Sequence, residues 1–284
     1  MLQEVLDSLP DDCKTIMDGT LGHGGHSREI LNIYSSINKH IWVDRDLAML
    51  AKAKIRLKEN EEKVVYVQWS YAELEKIVQQ AKIDAFDFIL LDIWVNMDHF
   101  KVADRGFSIK LDWELDMRYD RNTGVSAGDR LSKTKYNEMF DVFTLYTDFT
   151  PKFIWLFVDD LLHYKKRIPL ISTSDLVTWA KQLWINDKKL AVIFQAIRIH
   201  VNNELWELDL FLKKFQNFVK VGGRCGIMTY HSIEDRMVKI VFKSLLDTGN
   251  FVLHNKKVIK PHWLEIKKNK AARSAKYRVI ERIR

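Results

Sequence analysis

The feature that most constrains this chain is a glycine-rich stretch between a short apolar run and a helical pattern. Residues 18–27 read DGTLGHGGHS; the apolar run 15–17 precedes them, and a helix-like run, 28–34, follows. A strand, a glycine turn and a helix in this order let the backbone approach a nucleotide-like ligand closely. Glycine has no Cβ to block the approach, and the start of a helix offers free N–H groups.

A second apolar run ends in an acid about twenty residues later, as a nucleoside site requires. Residues 41–43 precede Asp44, whose carboxylate is placed to accept both ribose hydroxyls of a bound nucleoside. The glycine spacing is not the Gly-x-Gly-x-x-Gly of dinucleotide sites, so it favours S-adenosylmethionine over a nicotinamide cofactor. The alternative is that the glycines form only a tight turn.

Length and composition exclude several classes of protein. With 284 residues and 47% hydrophobic content, the chain is long enough for one large domain or two smaller ones. No apolar run is long enough to span a bilayer, and the first residues do not resemble a signal peptide, so no membrane partner is expected. Cys13 and Cys225 form neither a metal-ligand spacing nor a disulfide framework, so no metal site is expected and the protein is predicted to be cytoplasmic.

The charge of the chain favours a polyanionic partner. The net charge is +7, and the C-terminal end is the most basic part of the sequence. Only Glu265 and Glu281 oppose its cations, which are Lys256, Lys257, Lys260, Lys267, Lys268, Lys270, Arg273, Lys276, Arg278, Arg282 and Arg284. The alternative is a merely solvated tail.

Apolar runs alternate with helical patterns at the start of the chain and predict a doubly wound α/β sheet. The predicted strands cover 16–17, 40–43, 64–67, 86–92, 224–230 and 277–281. Long amphipathic segments separate the first four strands from the last two, at 135–146, 153–164, 174–183 and 191–215. We therefore predict one discontinuous domain, 1–98 with 216–284, interrupted by a helical insertion domain, 99–215.

Eight segments, in order along the chain, resemble one known family. They are 22–27, Asp92, 105–108, 115–118, 194–199, 201–205, 230–236 and 272–278. The family is that of the bacterial small-subunit (16S) rRNA cytosine-N4 methyltransferases (RsmH, also called MraW), and the resemblance runs from about Glu4 to the C-terminus. It implies a class I S-adenosylmethionine-dependent methyltransferase fold, a Rossmann-like doubly wound sheet with a helical insertion domain.

The resemblance also implies which residues bind S-adenosylmethionine. They are Gly24, Gly25, His26, Asp44, Tyr71, Asp92 and His99. Tyr71 would contact the adenine, and His99 stands where the family has a glutamine. Structural alternatives are a Tyr71 that packs at a helix start and a His26 that only completes the turn.

The implied activity is N4-methylation of a cytidine in the decoding region of small-subunit rRNA, with the assembled small subunit as substrate. The candidate catalytic residues are Asp92, Asn96, His231 and Ser232, with Asn96 in place of the serine usual in the family. Equally, Ser232 could be the N-cap of a helix. The candidate RNA-binding residues are Arg105, Arg118, Arg198, Arg236, Arg273 and Lys276, of which the first two could instead stabilise loops.

Tryptophan is unusually frequent and glycine scarce, with 9 and 11 residues. Five tryptophans fall where members of the family typically have glycine: Trp42, Trp69, Trp94, Trp113 and Trp206. An indole at Trp94 or Trp69 is expected to crowd the cofactor crevice. We hypothesise that these positions are glycines encoded by UGA; the alternative is genuine tryptophans with compensating repacking. Relative to the family the chain also starts late, which predicts an upstream start codon.

Two other functions are alternatives to this activity. A non-catalytic RNA-binding or ribosome-assembly factor would keep the basic surface but have a cofactor pocket closed by tryptophans. A DNA amino-methyltransferase would have an Asp/Asn-Pro-Pro-aromatic loop after the fourth strand, and residues 92–95 read DIWV instead.

Overall fold

The computed structural model describes residues 1–56, 58–94, 97–101 and 103–284. The chain forms two compact units, one of Met1–Trp94 with Leu205–Arg284 and one of Val95–Glu204. The predicted domain ranges, and the role of 99–215 in substrate recognition, stay predictions.

The first unit is built on a mixed sheet with the order β3-β2-β1-β4-β5-β7-β6, seven strands in the described part of the chain. The strands are β1 (Thr15–Asp18), β2 (Lys39–Val43), β3 (Val64–Val67), β4 (Phe86–Asp92), β5 (Val219–Thr229), β6 (Phe251–Leu253) and β7 (Lys276–Arg282). Strands β1 to β5 pair in parallel, and β7 lies antiparallel to both β5 and β6. The predicted fold class, a doubly wound α/β sheet of the class I methyltransferase type, is confirmed.

Helices of the first unit surround this sheet. They are α1 (Leu2–Leu6), α2 (Gly25–Ile33), α3 (Leu47–Arg56), α4 (Leu74–Ala81), α11 (Glu204–Lys214, in this unit from Leu205), α12 (Ser232–Asp247) and α13 (Trp263–Lys268). Short 3-10 helices cover Lys58–Lys63, Phe215–Phe218 and Lys270–Ser274.

Alternate residues of the strands belong to two different cores, because successive side chains of a strand point to opposite faces. Met17, Ile41 and Ile89 belong to one core cluster. Their neighbours Ile16, Trp42 and Phe88 belong to another. Apolar side chains on both faces are expected for parallel strands that are covered on both sides.

Trp42 is accommodated inside the second of these cores. The indole is fully buried and meets His40 and Tyr66 edge-on, with ring centroids 5.7 and 5.4 Å away. Its Nε1 is buried and has no hydrogen-bond partner among the residues that the structure describes. A buried donor without a partner costs about 1–3 kcal/mol, so the repacking around this ring is incomplete.

The second unit is helical. Its helices are α5 (Met97–Lys101), α6 (Ala127–Lys133), α7 (Tyr136–Tyr146), α8 (Pro151–Arg167), α9 (Thr173–Gln182) and α10 (Asp187–Asn202), with a 3-10 helix at Ala103–Arg105. They enclose a separate core that includes Phe143, Phe157 and Trp179. The Trp179 indole is satisfied there, because its Nε1 donates to Asp160 over 2.9 Å.

The amphipathic segment predicted at 191–215 is two helices, α10 and α11, rather than one. The break is at Asn203, whose φ of 53° is left-handed and ends α10. Asparagine tolerates this conformation better than most residues, but nothing in a helical hydrophobic pattern reveals it. Within the described ranges, no helix combines the length and the apolarity needed to cross a bilayer.

Candidate active site

Polar side chains gather where four parallel strands of the first unit end. Asp18 ends β1, Asp44 follows β2, Asp92 ends β4 and Tyr230 follows β5. Because these strands are parallel neighbours, their carboxyl ends lie at one edge of the sheet, where ligands bind in open α/β folds. This edge is the candidate active site.

The glycine turn lies at the same edge and leaves room in front of α2. Gly24 is the N-cap of α2 with a left-handed φ of 68°, a conformation that glycine adopts without strain. A Cβ added to Gly25 would meet no atom within 4 Å, so the start of α2 faces open space. By contrast, a Cβ on Gly19 would lie 2.3 Å from the Leu91 side chain and 3.1 Å from the Tyr71 Cβ. The turn therefore packs closely against β4 and Tyr71.

A buried network fixes the start of α2 to the strands below it. Ser27 Oγ donates to Asp18 Oδ2 over 2.6 Å and lies 3.3 Å from His40 Nε2. Burial raises the pKa of Asp18 and lowers the pKa of His40 to about 3, so the imidazole is neutral at physiological pH. Because these hydrogen bonds hold the start of α2 against the strands, the glycine turn is preorganised for a ligand on its open side.

Asp44 connects the end of β2 to the glycine turn. Its Oδ2 accepts from the Gly22 N–H and its Oδ1 from the Asp46 N–H, both over 2.9 Å. Burial raises the pKa of Asp44 to about 6, although the two backbone hydrogen bonds act in the opposite direction. Each carboxylate oxygen has a second acceptor position, which suits the predicted contact with two ribose hydroxyls.

Asp92 is held by residues from three other segments. Tyr230 Oη donates to Asp92 Oδ1 over 2.7 Å, and the Asp92 N–H donates to Thr20 Oγ1 over 2.6 Å. His26 Nδ1 lies 3.7 Å from the other oxygen, Oδ2. The carboxylate is thus oriented through one oxygen, while the second faces only this more distant imidazole among the contacts observed.

Sequence reasoning did not identify Tyr230 as a site residue. Burial and the adjacent Asp92 carboxylate raise the pKa of its phenol, which keeps the hydroxyl protonated as a donor. The Trp94 ring lies 4.6 Å from the Tyr230 ring. Its position in the sequence could have identified it, because Tyr230 directly follows β5 in the same way as Asp44 directly follows β2.

His231, rather than Ser232, is the N-cap of α12. The His231 ring accepts from the Glu234 N–H over 3.4 Å, and Glu234 Oε2 accepts from the Tyr230 and His231 N–H groups over 2.8 and 3.3 Å. The alternative interpretation, in which Ser232 is the N-cap, is therefore wrong, because the cap is one residue earlier. The His231 imidazole supplies the hydrogen-bond acceptor that an N-cap needs. Ser232 is the first helical residue and is exposed.

Tyr71 contacts the glycine turn and the core of the first unit, and its predicted contact with adenine stays a prediction. It lies beside Gly19 of the glycine turn, and its ring also packs edge-on against Phe211 with centroids 5.8 Å apart. Trp69, expected to crowd this loop, lies against α4. Its Nε1 donates to Gln80 over 3.2 Å, and Lys76 Nζ lies 4.4 Å from the centre of its ring.

Four of the described candidate site residues belong to the second unit and have contacts within it. His99 is buried and stacks on Phe107 and Tyr119, with centroids 5.0 and 5.3 Å away. The other three are arginines that donate to acceptors of the protein. Arg105 donates to the backbone oxygens of Arg118 and Tyr119. Arg118 forms a bidentate pair with the Asp116 carboxylate, and Arg198 forms one with Glu204. These contacts are structural, and any contact with cofactor or RNA stays a prediction.

The remaining candidates divide by their surroundings. Arg236 and Arg273 are exposed, and Lys276 Nζ donates to Asp235 over 2.8 Å. Asn96 lies outside the described residues.

Comparison with known proteins identifies the family. The sequence profile of the MraW methylase family matches residues 1–283. The chain belongs to this family. It is 35% identical to the "Ribosomal RNA small subunit methyltransferase H" of Dictyoglomus turgidum over 99% of this chain and 96% of that protein. It is 34% identical to the protein of the same name from Brachyspira hyodysenteriae, over 100% of this chain and 95% of that one.

The predicted class of enzyme, a methyltransferase of the MraW family that uses S-adenosylmethionine, is confirmed. The described residues fit this cofactor. The open space at Gly25 admits a ligand against the start of α2, and Asp44 presents acceptors at the end of β2. A nucleoside seated between them requires both features.

Proposed function

We propose that this protein methylates N4 of a cytidine in the decoding region of small-subunit rRNA. We infer that its substrate is the assembled small subunit and that it acts in the cytoplasm. The observation that supports the proposal best is the Asp92 carboxylate, oriented by Tyr230 beside the glycine turn. The names of the relatives agree, since they are small-subunit ribosomal RNA methyltransferases.

The reaction requires the protein mainly to position the methyl donor and the cytosine amine. S-adenosylmethionine, when bound, supplies a methyl group already activated by its sulfonium. The cytosine N4 lone pair is delocalised into the ring, so an acceptor for an N4–H helps to free it. Asp92 Oδ2 is the acceptor that we assign, because Tyr230 occupies Oδ1. The distant His26 imidazole leaves Oδ2 available for an amine.

The other candidate residues have supporting parts in this proposal. Gly24, Gly25 and Asp44 hold the nucleoside end of the cofactor, and Tyr71 contacts its adenine. As the resemblance implies, His99 is proposed to bind the cofactor, and Asn96 and Ser232 are proposed as catalytic residues. His231 positions the start of α12 and, through Glu234, the Tyr230 backbone. The helical insertion domain, 99–215, is proposed to recognise the surrounding rRNA.

The experiment that tests this function is transfer of labelled methyl from S-adenosylmethionine to unmodified small subunits, mapped to the nucleotide. Free small-subunit rRNA is the comparison substrate, and we expect the assembled subunit to be preferred. The chain as written is assayed beside a variant with glycine at positions 42, 69, 94, 113 and 206. RNA binding without cofactor binding or transfer in both forms would instead identify a non-catalytic binding factor.

Tyr230→Phe isolates the role of Asp92, because it removes one hydroxyl and leaves the ring that packs on Trp94. We expect kcat to fall about tenfold or more, as for the loss of a hydrogen bond to a charged group, while the Kd for S-adenosylmethionine is unchanged. An unchanged kcat would contradict the assigned role of the oriented carboxylate.

A further inference from the structure

A basic groove lies in the first unit, outside the site described above. Helix α12 forms one wall, and the segment after β6, with part of β7, forms the other. We call it the α12 groove, and it holds about 660 Å³ of space open to solvent. Its polar lining consists of Lys239, Lys243, Asn255, Lys256, Lys257 and Arg278.

The α12 groove is strongly cationic. Its lining has five basic residues and no acidic one. Arg278 is neutralised by Asp235, to which its Nε donates over 2.8 Å. In the described part of the chain none of the four lysines forms an ion pair. Like charges placed together without counter-ions raise the free energy of the folded protein, and a polyanionic ligand removes that cost.

Helix geometry places two of the lysines on the same wall. Lys239 and Lys243 are four residues apart in α12, so they lie one turn apart on one face. Lys256 and Lys257 approach from the segment after β6. A flexible strand lying between the walls therefore meets ammonium groups on both sides, as a nucleic-acid backbone requires.

Asn255 adds a hydrogen-bonding group that no protein contact explains. It lines the groove, and its Oδ1 is buried without a hydrogen-bond partner among the described residues. A buried acceptor of this kind is costly unless a ligand or water supplies a donor. The ribose 2′-OH is such a donor, and it distinguishes RNA from DNA.

The groove also lies along a helix whose first residues border the candidate active site. Helix α12 begins next to His231 and Tyr230, and Lys243 lies roughly 16 Å farther along its axis at 1.5 Å per residue. Arg278 lies at the end of the groove nearer to the start of α12, where its side chain donates to Asp235 in the first turn of that helix. A strand that leaves the active site along α12 would pass these cations in succession.

We propose that the α12 groove binds the sugar–phosphate backbone of the rRNA substrate, away from the cytidine that is methylated. This inference rests on the proposed function for the identity of the RNA. The four lysines bind phosphates, and the Asn255 side chain, turned towards the groove, accepts from a ribose hydroxyl.

The test is the double substitution Lys243→Ala with Lys257→Ala, one exposed lysine from each wall. The matched control is Lys14→Ala with Lys213→Ala, which removes the same charge from exposed positions before β1 and at the end of α11. A third variant, Lys243→Arg with Lys257→Arg, keeps the charges. Thermal unfolding and the Kd for S-adenosylmethionine report whether each variant is folded.

We expect the groove variant to raise the KM for small subunits about tenfold with kcat unchanged, and to weaken RNA binding to a similar extent. The slope of log K against log salt should decrease by roughly 0.7 for each phosphate that the variant no longer neutralises. The control and the arginine variant should resemble the original chain. A groove variant with the same KM and RNA affinity as the control would overturn the proposal.

The RNA-binding readout separates this proposal from the proposed function. If the original chain transfers no methyl group but the groove variant still loses RNA affinity, the groove assignment stands and the activity is wrong. If methyl transfer occurs and the groove variant binds RNA as the control does, the activity stands and the groove assignment is wrong.

Discussion

The Asp44 carboxylate has to be ionised to accept both ribose hydroxyls, yet burial raises its pKa to about 6. We therefore expect the affinity for S-adenosylmethionine to be constant above about pH 7 and to fall as the pH drops through 6. Calorimetric titration at several pH values measures this dependence. Asp44→Asn should weaken binding roughly 10- to 100-fold and remove the pH dependence between 5 and 7. If the asparagine variant keeps that dependence, another group is responsible.

The raised pKa of Asp44 gives folding stability a pH dependence opposite to that expected for cofactor binding. A carboxyl group whose pKa is higher in the folded than in the unfolded state favours folding while it is protonated. The contribution of Asp44 is complete below its ordinary pKa of 3.8 and is lost as the pH rises through about 6. The proposed contact of Asp44 with the cofactor thus needs the ionisation that folding disfavours, a conflict expected at a ligand site rather than in a structural core.

Trp184 has a backbone conformation that glycine adopts most easily, and the substitution Trp184→Gly tests whether the tryptophan is strained there. Helix α9 ends with hydrogen bonds from the Trp184 N–H to Lys181 O and from the Ile185 N–H to Ala180 O, a Schellman motif. Trp184 has the left-handed φ of 55° that this motif requires, and its side chain is 95% exposed. Its indole therefore gains little packing to offset the strain.

We expect Trp184→Gly to stabilise the protein by about 1 kcal/mol, because glycine takes a left-handed conformation without a Cβ clash. The matched control is Trp155→Gly, inside α8 and 54% exposed, which should destabilise it by about 1 kcal/mol or more. Chemical denaturation of both variants measures these changes. A loss of stability in Trp184→Gly would show that the indole makes a favourable contribution.

Position 184 extends the hypothesis of UGA-encoded glycines on independent grounds. The first five positions were suggested by resemblance, whereas backbone conformation suggests this one. We expect the gene to have UGA at positions 42, 69, 94, 113, 184 and 206. Sequencing the gene decides the matter, and UGG at the first five positions would end the hypothesis.

At the scale of the element, the start of α12 connects helix capping to the active site. The Glu234 carboxylate is buried, accepts from the Tyr230 and His231 N–H groups and faces the His231 ring. Glu234→Ala should lower the free energy of unfolding by about 2 kcal/mol and also reduce kcat, since Tyr230 orients Asp92. Glu234→Gln keeps an acceptor and should restore most of both. Denaturation and methyl-transfer kinetics measure the two effects, and a normal kcat in Glu234→Ala would separate the cap from catalysis.

The elements that sequence reasoning predicted well are those with a strong local pattern. The buried run 86–92 is β4 over the same residues, because a strand covered on both faces is apolar throughout. Strand β6, Phe251–Leu253, was not predicted, since three residues at the edge of a sheet show no periodicity. The break at Asn203 was missed because one left-handed residue does not alter the hydrophobic pattern around it.

At the scale of the whole molecule, the net charge of +7 predicts how substrate binding responds to salt. We expect the KM for small subunits to rise at least tenfold between about 50 and 200 mM monovalent salt, because phosphate contacts release counter-ions. The KM for S-adenosylmethionine should change little over that range, which makes it the internal control. Equal responses of both KM values would indicate a general effect of salt on the enzyme.

The sequence by itself determined the class of fold and the positions of the acids and glycines of the candidate site. These features are local, because a strand that ends in an acid or a turn that needs glycine can be recognised from neighbouring residues. Tertiary structure alone decided which groups act together. Tyr230 and Asp92 are 138 residues apart, and only the parallel pairing of β4 and β5 brings the phenol to the carboxylate. The α12 groove likewise exists only because β6 and β7 fold back beside α12, since the positions of cations along the chain do not show which separate segments come together.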